Sequence, residues 1–256
     1  MKRILFAVLC VSLAACSSDS SSDASGTSSG LKIKNITEII NYGGSTTLTK
    51  TGNFVYEGNI LKSLIYTADN VKIDFLYAGD KITQMNTYRN NQLIAASSVT
   101  YDGAKLIRVA NEGEKTEYQY VNDVLKSNTV STYNNNQWDF YEGEEYAFDQ
   151  NNVVEVRSSS KYTPTVSKSR YIHDDKKNPF SGMNPYLKYL LEFESFNPMD
   201  QNNRITQQRY ASAASNDIVG TTSYQIQYNP AGYPTEIRKV NDANQSLLSK
   251  IVISYN

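Results

Sequence analysis

Histidine and cysteine, the side chains that most often bind metals or act as nucleophiles, are nearly absent from this chain. The 256 residues contain two cysteines and one histidine, His173. A Ser-His-Asp triad or a multi-histidine zinc site would have to use His173 or do without histidine. Asp174 follows on the same segment, and adjacent strand residues point to opposite faces, so it is not placed to orient the ring. We predict a structural role for His173, no metal site and no cofactor.

Long apolar runs are also missing. The longest, residues 4–13, follows Lys2 and Arg3 and is too short for a spanning helix, which needs about 20 residues. The run ends in Leu13-Ala14-Ala15-Cys16, which resembles the lipobox of bacterial lipoproteins. The resemblance implies a signal peptide over residues 1–15, lipidation of Cys16 and a membrane partner reached through that lipid. The alternative is an ordinary signal peptide cleaved after Ala15.

No charge of either sign dominates. Without residues 1–15, which hold two basic residues and no acidic one, 23 basic and 26 acidic residues remain, a net charge of −3. The charges are interspersed, so we expect no nucleic-acid partner. Residues 16–30 are rich in serine and predict a flexible tether. Asp19 and Asp23 loosely resemble surface-export signals of Bacteroidetes lipoproteins, or they are solubilising charge.

Tyrosine and asparagine are abundant, and they recur in one pattern across residues 31–256, which we predict to be a single domain. An aromatic residue ends a segment in which apolar and polar residues alternate, a turn of Gly, Asn or Asp follows, and an apolar residue begins the next strand. The pattern is clearest at residues 54–60, 75–82 and 99–106. Alternation in steps of two puts Phe54 and Tyr56 on one face of a strand. Each unit therefore predicts a β-hairpin.

Stacked hairpins predict an all-β fold, an antiparallel meander of about 14 to 18 strands. We expect a single sheet that curls into a superroll or partial barrel to shelter its edges, with at most one or two short helices. Asn184 could cap such a helix, with Pro185 at its first position, within a turn-rich crossing. Residues 211–217 predict a loop.

Two segments resemble known proteins. The Tyr-Asp-Gly-x-x-Leu units, as at residues 101–106, resemble the Tyr-Asp repeats of bacterial Rhs-type shell proteins. Residues 171–180, YIHDDKKNPF, resemble a run typical of an uncharacterised Bacteroidetes lipoprotein family, a domain of unknown function, with His173 where tyrosine is usual. The resemblance covers residues 50–256 and implies a β-repeat fold and an envelope location, but no activity.

Acidic and aromatic side chains cluster in one short segment, which is the candidate ligand site. Aromatic faces stack on sugar rings, and glycoside hydrolysis needs only two carboxylates. A solvated hairpin end with half-buried aromatic rings is the alternative. The candidate residues are Trp138, Phe140, Tyr141, Glu142, Glu144 and Glu145.

Two further patterns have competing interpretations. Asp149-Gln150-Asn151-Asn152 recurs as Asp200-Gln201-Asn202-Asn203, and oxygen-rich turns of this kind could bind calcium. Both lie just before the start of a predicted strand and lack the spacing of a calcium-binding loop, so we interpret them as turns. The twenty tyrosines could form a recognition surface or a scaffold.

Taken with the lipobox, these features predict a non-catalytic envelope lipoprotein of the outer membrane that binds or scaffolds a glycan or protein partner. It would face the cell surface or the periplasm. One alternative is a glycan-acting hydrolase that uses two of Glu142, Glu144 and Glu145. Another is a periplasm-facing factor for envelope assembly or structure.

Overall fold

The computed structural model describes residues 31–41, 47–191, 193 and 196–256. The predicted signal peptide, Cys16 and the tether lie outside these residues. Within them the chain forms sixteen strands and one 3-10 helix. The strands are β1 Ile33–Asn41, β2 Thr47–Glu57, β3 Ile60–Tyr66, β4 Val71–Ala78, β5 Lys81–Arg89, β6 Gln92–Asp102, β7 Lys105–Ala110, β8 Glu114–Val121, β9 Val124–Asn134, β10 Gln137–Asp149, β11 Asn152–Ser160, β12 Thr163–Lys177, β13 Asn202–Tyr210, β14 Ile218–Tyr228, β15 Pro234–Asn241 and β16 Leu247–Tyr255.

All sixteen strands belong to one closed antiparallel barrel. The all-β class and the antiparallel meander are confirmed, but the expectation of an open superroll or partial barrel is wrong, because β1 pairs with both β2 and β16. Ile36 lies opposite Ile253 across the seam. An open sheet of this length would leave two edges with unpaired backbone groups, and closure pairs them. β16 supplies the partner of β1.

Tight turns join most neighbouring strands, as the asparagine and glycine clusters predict. Gly58 has a φ of 57°, the conformation that a two-residue hairpin turn with glycine first requires. Asn90 and Asn91 both have positive φ, which indicates the mirror-image type of turn. The turn predicted within residues 149–152 is confirmed at residues 150–151, whereas Asn202 and Asn203 begin β13 instead of forming a turn.

A β-bulge follows the turn in several repeats and decides which side chains enter the barrel. In the β2–β3 hairpin, Phe54 pairs with Leu64 and Tyr56 with Leu61, so the register shifts between them. Leu61 and Leu64 are three residues apart, yet both are buried in the core. Simple alternation would put them on opposite faces. The bulge, which inserts one extra residue, brings both inward.

The described part of the connection between β12 and β13, residues 178–191, 193 and 196–201, fills one end of the barrel, and we call it the plug. Its buried side chains include Phe180, Leu187 and Phe196, which pack in the same core as the strands. Phe180 contacts Phe54 of β2 with ring centroids 6.2 Å apart. The sequence predicted a crossing here, and the structure places that crossing inside the sheet.

Two asparagines fix the plug. Asn178 is fully buried; its side chain donates to the carbonyl of Asn197 at 3.0 Å and accepts from the amide of Phe180 at 2.9 Å, so it joins both ends. Asn184 caps the 3-10 helix Pro185–Tyr189 by accepting from the amide of Tyr186, which confirms the predicted cap and proline position. Asn184 also donates to the Asp80 carbonyl of the barrel wall at 2.7 Å.

Tyrosines of successive hairpins form a ladder around the plug end of the barrel. The hydroxyl of Tyr77 donates to the Leu61 carbonyl at 2.8 Å, and Tyr101 donates to the Ile82 carbonyl at the same distance. Each tyrosine therefore ties its strand to the preceding hairpin. Lys81 lies over the ring of Tyr101, 5.1 Å from the centroid. These tyrosines act as scaffold, which is one of the two interpretations that the composition left open.

Removing one ladder hydroxyl should weaken the barrel measurably. Tyr101→Phe leaves the Ile82 carbonyl without this donor, and we expect the free energy of unfolding to fall by about 1 kcal/mol. Tyr162→Phe is the control, because Tyr162 is 70 % exposed. Urea unfolding of both variants, followed by circular dichroism, measures the difference. Equal stabilities would contradict the ladder.

Buried tyrosines of the barrel, in the ladder and outside it, also predict sensitivity to alkali. Burial raises the pKa of Tyr66 and Tyr77 to about 12 in the folded protein, whereas an unfolded tyrosine ionises near pH 10. The folded state binds these protons more tightly, so their stabilising contribution is complete below about pH 10 and disappears as the pH rises towards 12. We expect buried tyrosines to ionise only as the barrel unfolds, measured as tyrosinate absorbance against circular dichroism. Full ionisation of a still-folded barrel would refute this.

Candidate functional site

A cavity of about 710 Å³ lies inside the barrel, on the side of the plug away from the tyrosine ladder. The barrel has two ends. The plug end carries the β2–β3 turn and the junctions of the plug with β12 and β13, and the opposite end, the mouth, carries turns such as Asn90-Asn91. The lining residues Thr163 and Thr165 are solvent-exposed at the mouth side. The cavity is therefore a cup that the plug closes at its base.

Hydroxyl groups line the wall of the cup. In β11, Val156 packs in the apolar core, and Ser158 and Ser160 continue the same alternating positions towards the mouth. Interior positions thus change from aliphatic to hydroxylic along each of several strands. Serine and threonine both donate and accept hydrogen bonds, so this wall suits a polar ligand. The serine and threonine residues of the lining are Ser97, Thr116, Ser158, Ser159, Ser160, Thr163, Thr165 and Ser167.

The floor of the cup is the apolar and aromatic upper surface of the plug. Tyr189 belongs to this surface, and Tyr118 of the wall donates its hydroxyl to the Tyr189 carbonyl at 2.9 Å. Their rings meet edge to face with centroids 5.6 Å apart. This contact holds the floor rigidly against the wall. The other apolar lining residues that the plug contributes are Leu190, Leu191, Phe193, Phe196, Pro198 and Met199.

Among the residues that the structure describes, five charged ones line the cavity: Glu114, Glu142, Glu144, Lys188 and Arg204. Glu144 accepts a hydrogen bond from the Tyr146 hydroxyl at 2.6 Å and lies 3.4 Å from the Ser158 hydroxyl. Its carboxylate is therefore held in place by two wall residues. Glu114 and Glu142 are exposed to solvent.

A buried ion pair anchors the end of the plug beneath this floor. Arg204 Nε donates to Asp200 Oδ2 at 2.8 Å, and Asp200 Oδ1 accepts from the amide of Val153 at 2.8 Å. Burial by itself would lower the pKa of Arg204, but Asp200 and the nearby tyrosines outweigh it, so the pKa is raised. The guanidinium lies 3.6 Å from the ring centroid of Tyr171. His173, with a side chain only 6 % exposed, lies 3.3 Å from Asp200, in keeping with a structural histidine.

The repeated Asp-Gln-Asn-Asn segments pair with each other. Asn152 and Asn202 exchange two hydrogen bonds, of 3.0 and 2.8 Å, and the Asn151 side chain donates to Gln201 at 3.2 Å. The second of these segments, Asp200-Gln201-Asn202-Asn203, thereby holds the end of the plug against the β10–β11 turn. Among the residues described, no cluster of three or more His, Cys, Asp or Glu is arranged to hold a metal ion.

The structure divides the predicted acidic and aromatic cluster between two faces of β10. Glu142 and Glu144 line the cavity. Trp138 and Phe140 are 39 % and 44 % exposed and do not line it. The register of β10 against β9 shifts between Phe140 and Glu142, with Tyr141 as the extra residue. This bulge reverses the alternation, so Phe140 faces outward and Glu142, two residues later, faces the cavity.

Glu145 is exposed and lies outside the cavity. The outward aromatic residues form a separate cluster near the mouth. Trp138 packs against Tyr133 with centroids 5.1 Å apart, and Tyr141 meets Tyr162 at 5.8 Å. Strand alternation and the bulge explain why neighbours in sequence are separated in space.

Sequence reasoning missed Lys188, Arg204 and the hydroxyl wall. Lys188 lies in the plug, and nothing local in the sequence indicates that this crossing turns inward. The serines at 158–160 and the alternate hydroxyls at 163, 165 and 167 are a weak signal, because Ser and Thr at interior strand positions require either partners or water.

The fold resembles that of a porin-like protein from Bacteroides uniformis, with a TM-score of 0.54 and 11 % sequence identity over 88 % of this chain and 98 % of that one. At this identity the likeness shows the fold alone. Two TcdB2-TccC3 structures align at TM-scores of 0.30 and 0.31 with 17 % and 16 % identity, over 82 % and 84 % of this chain but only 10 % and 11 % of theirs. No protein-family model and no curated protein sequence matches the chain.

Breaking the buried ion pair should destabilise the whole barrel. Asp200→Asn leaves Arg204 charged, buried and unpaired, and we expect a loss of about 3–5 kcal/mol in the free energy of unfolding. Asp175→Asn is the matched control, because the Asp175 side chain is 85 % exposed. Denaturant unfolding measures both. A loss no larger than that of the control would show that the pair does not anchor the plug.

Proposed function

We propose that this protein is a non-catalytic envelope lipoprotein that binds a saccharide in the cup of its plugged barrel. The observation that carries the proposal is the cavity itself, which is open at the mouth, lined with hydroxyls and closed by an aromatic floor. Its volume of about 710 Å³ lies within the usual range for small-molecule sites. A saccharide presents hydroxyls to such a wall and a C–H face to tyrosine rings.

The outer wall of the barrel favours water over lipid. Glu155 forms ion pairs with Arg157 and Arg170 on the outward positions of β11 and β12. Lys250 of β16 pairs with Glu236 of β15, a few strands farther round the barrel. Charged residues on a lipid-facing strand cost about 2–4 kcal/mol each near the bilayer centre. In the part of the chain that the structure describes, no helix is long and apolar enough to cross a membrane. We propose that a lipid on Cys16 attaches the protein to the membrane, as the Leu13-Ala14-Ala15-Cys16 segment indicates.

The direction of β1 sets the proposed orientation. Ile33 begins β1 at the plug end, where Lys32 Nζ donates to the Gly58 carbonyl at 2.5 Å. A tether over residues 16–30 joins the barrel at this end. The mouth then faces away from the membrane that holds the lipid, towards the exterior if the protein is on the cell surface. Similarity to a porin-like protein is in keeping with an envelope setting.

A hydrolase is the second candidate, because Glu142 and Glu144 both line the cavity. Glycosidases place two carboxylates on either side of the scissile bond. These two lie two residues apart on the same strand and therefore on the same wall. Glu144 is also occupied by Tyr146 and Ser158. This arrangement favours binding over hydrolysis.

Binding should depend on the cup and not on the outer aromatic cluster. We expect Ser160→Leu, which puts a bulky apolar group into the cavity, to weaken saccharide binding by about tenfold or more. Trp138→Ala, on the outer wall, should leave affinity unchanged. The full-length protein in detergent is screened on a glycan array, and hits are measured by calorimetry.

Three outcomes separate the candidate functions. Binding that is lost in Ser160→Leu and retained in Trp138→Ala supports the cup. The reverse pattern would move the site to the outer aromatic cluster. Shortened products in chromatography of the bound saccharide, abolished by Glu142→Gln, would favour the hydrolase.

A further inference from the structure

We propose that the cup selects saccharides that carry a single acidic group at the end that enters first, and that Lys188 binds this group at the floor. The inference rests on the proposed saccharide-binding function and adds the chemistry of the ligand. It follows from the placement of the five described charged residues in the cavity lining.

Lys188 is held rigidly at the floor. It lies in the 3-10 helix Pro185–Tyr189, between the buried residue Leu187 and the floor residue Tyr189. The amide of Leu187 donates to the Asn184 carbonyl, and the amide of Leu190 donates to the Leu187 carbonyl, both at 3.1 Å. The backbone beneath Lys188 is therefore fixed, and the lysine side chain is part of the cavity lining.

Among the described residues, no ion pair and no hydrogen bond engages the Lys188 ammonium. Burial lowers the pKa of Lys188, with Asp200 acting weakly in the opposite sense, so the ammonium has lost part of its hydration. Asp200 already accepts from Arg204 and from the Val153 amide. Arg204 adds a second cation to the lining, and among the described residues its buried Nη2 has no acceptor. In the described part of the floor, the Lys188 ammonium and one Arg204 donor are therefore free to bind an anionic group.

The three glutamates limit how much negative charge the ligand can carry. Glu144 is held by wall hydroxyls, and Glu114 and Glu142 are exposed where the lining meets solvent. A carboxylate at the floor meets an underhydrated ammonium. A second carboxylate beside Glu114 or Glu142 would meet like charge, and over a few ångströms salt screens that repulsion only partly. A monoacidic saccharide fits this distribution better than either a neutral one or a polyacid.

The test compares matched saccharides on the full-length protein in detergent. The array carries pairs that differ only in oxidation at C6, such as cellobiose and cellobiouronic acid, together with the polyacid trigalacturonic acid. We expect the acidic member of a bound pair to bind about tenfold more tightly than its neutral partner. The polyacid should bind more weakly than the monoacid, and added salt should reduce the preference.

Two lysine variants assign the preference to the floor. Lys188→Met should remove the discrimination between acidic and neutral members while neutral binding persists, and Lys188→Arg should retain it. Lys115→Met is the control, because Lys115 lies over the ring of Trp138 on the outer wall, 5.3 Å from its centroid. Thermal unfolding checks that each variant is folded.

The outcomes distinguish this inference from the proposed function. Neutral members that bind as tightly as acidic ones, or a preference that survives Lys188→Met, would overturn the inference and leave saccharide binding intact. Failure of the unmodified protein to bind either kind of saccharide would contradict the proposed function, and the inference with it.

Discussion

The width of a sixteen-stranded barrel is the constraint on which the rest of the structure depends. About eight strands enclose a space that their own side chains can fill, whereas sixteen leave a wide lumen. Here the inward residues of the strands, such as Leu61, Leu64 and Ile82, form only part of the core, the part next to the barrel wall. The plug, with Phe180 and Leu187 at its centre, supplies the missing volume at one end. At the other end nothing from the described chain fills the lumen completely, and that space is the cup.

Holding a 24-residue connection inside a sheet requires that its backbone polar groups find partners. The plug meets this need with side-chain amides and one carboxylate. Asn178 and Asn184 bond to plug backbone, and Asp200 accepts from the Val153 amide of the wall. The paired Asp-Gln-Asn-Asn segments close the exit. Polar residues whose sequence pattern suggests surface turns therefore form the hydrogen bonds that hold the plug inside the barrel.

Sequence reasoning recovered the strand repeats because tyrosine, asparagine and glycine recur at fixed places in each hairpin. It also recovered the cap at Asn184, which is a local interaction. It did not predict closure, because the pairing of Ile36 with Ile253 joins the two ends of the domain and leaves no local mark. The predicted cluster around Trp138 and Glu142 was divided by a single bulge at Tyr141, which periodicity in steps of two does not anticipate.

A channel and a closed cup make opposite demands on the plug, since a channel needs a plug that can leave and a cup needs one that is part of the core. Hydrogen exchange at the amides of Phe180 and Leu187 tests this directly. Both are buried and bonded, to Asn178 Oδ1 and to the Asn184 carbonyl. We expect them to exchange only through global unfolding, with the same free energy as the central amides of β3 and β16. Exchange through a local opening of lower free energy, with the strand amides still protected, would show that the plug is a removable gate and would contradict the closed cup.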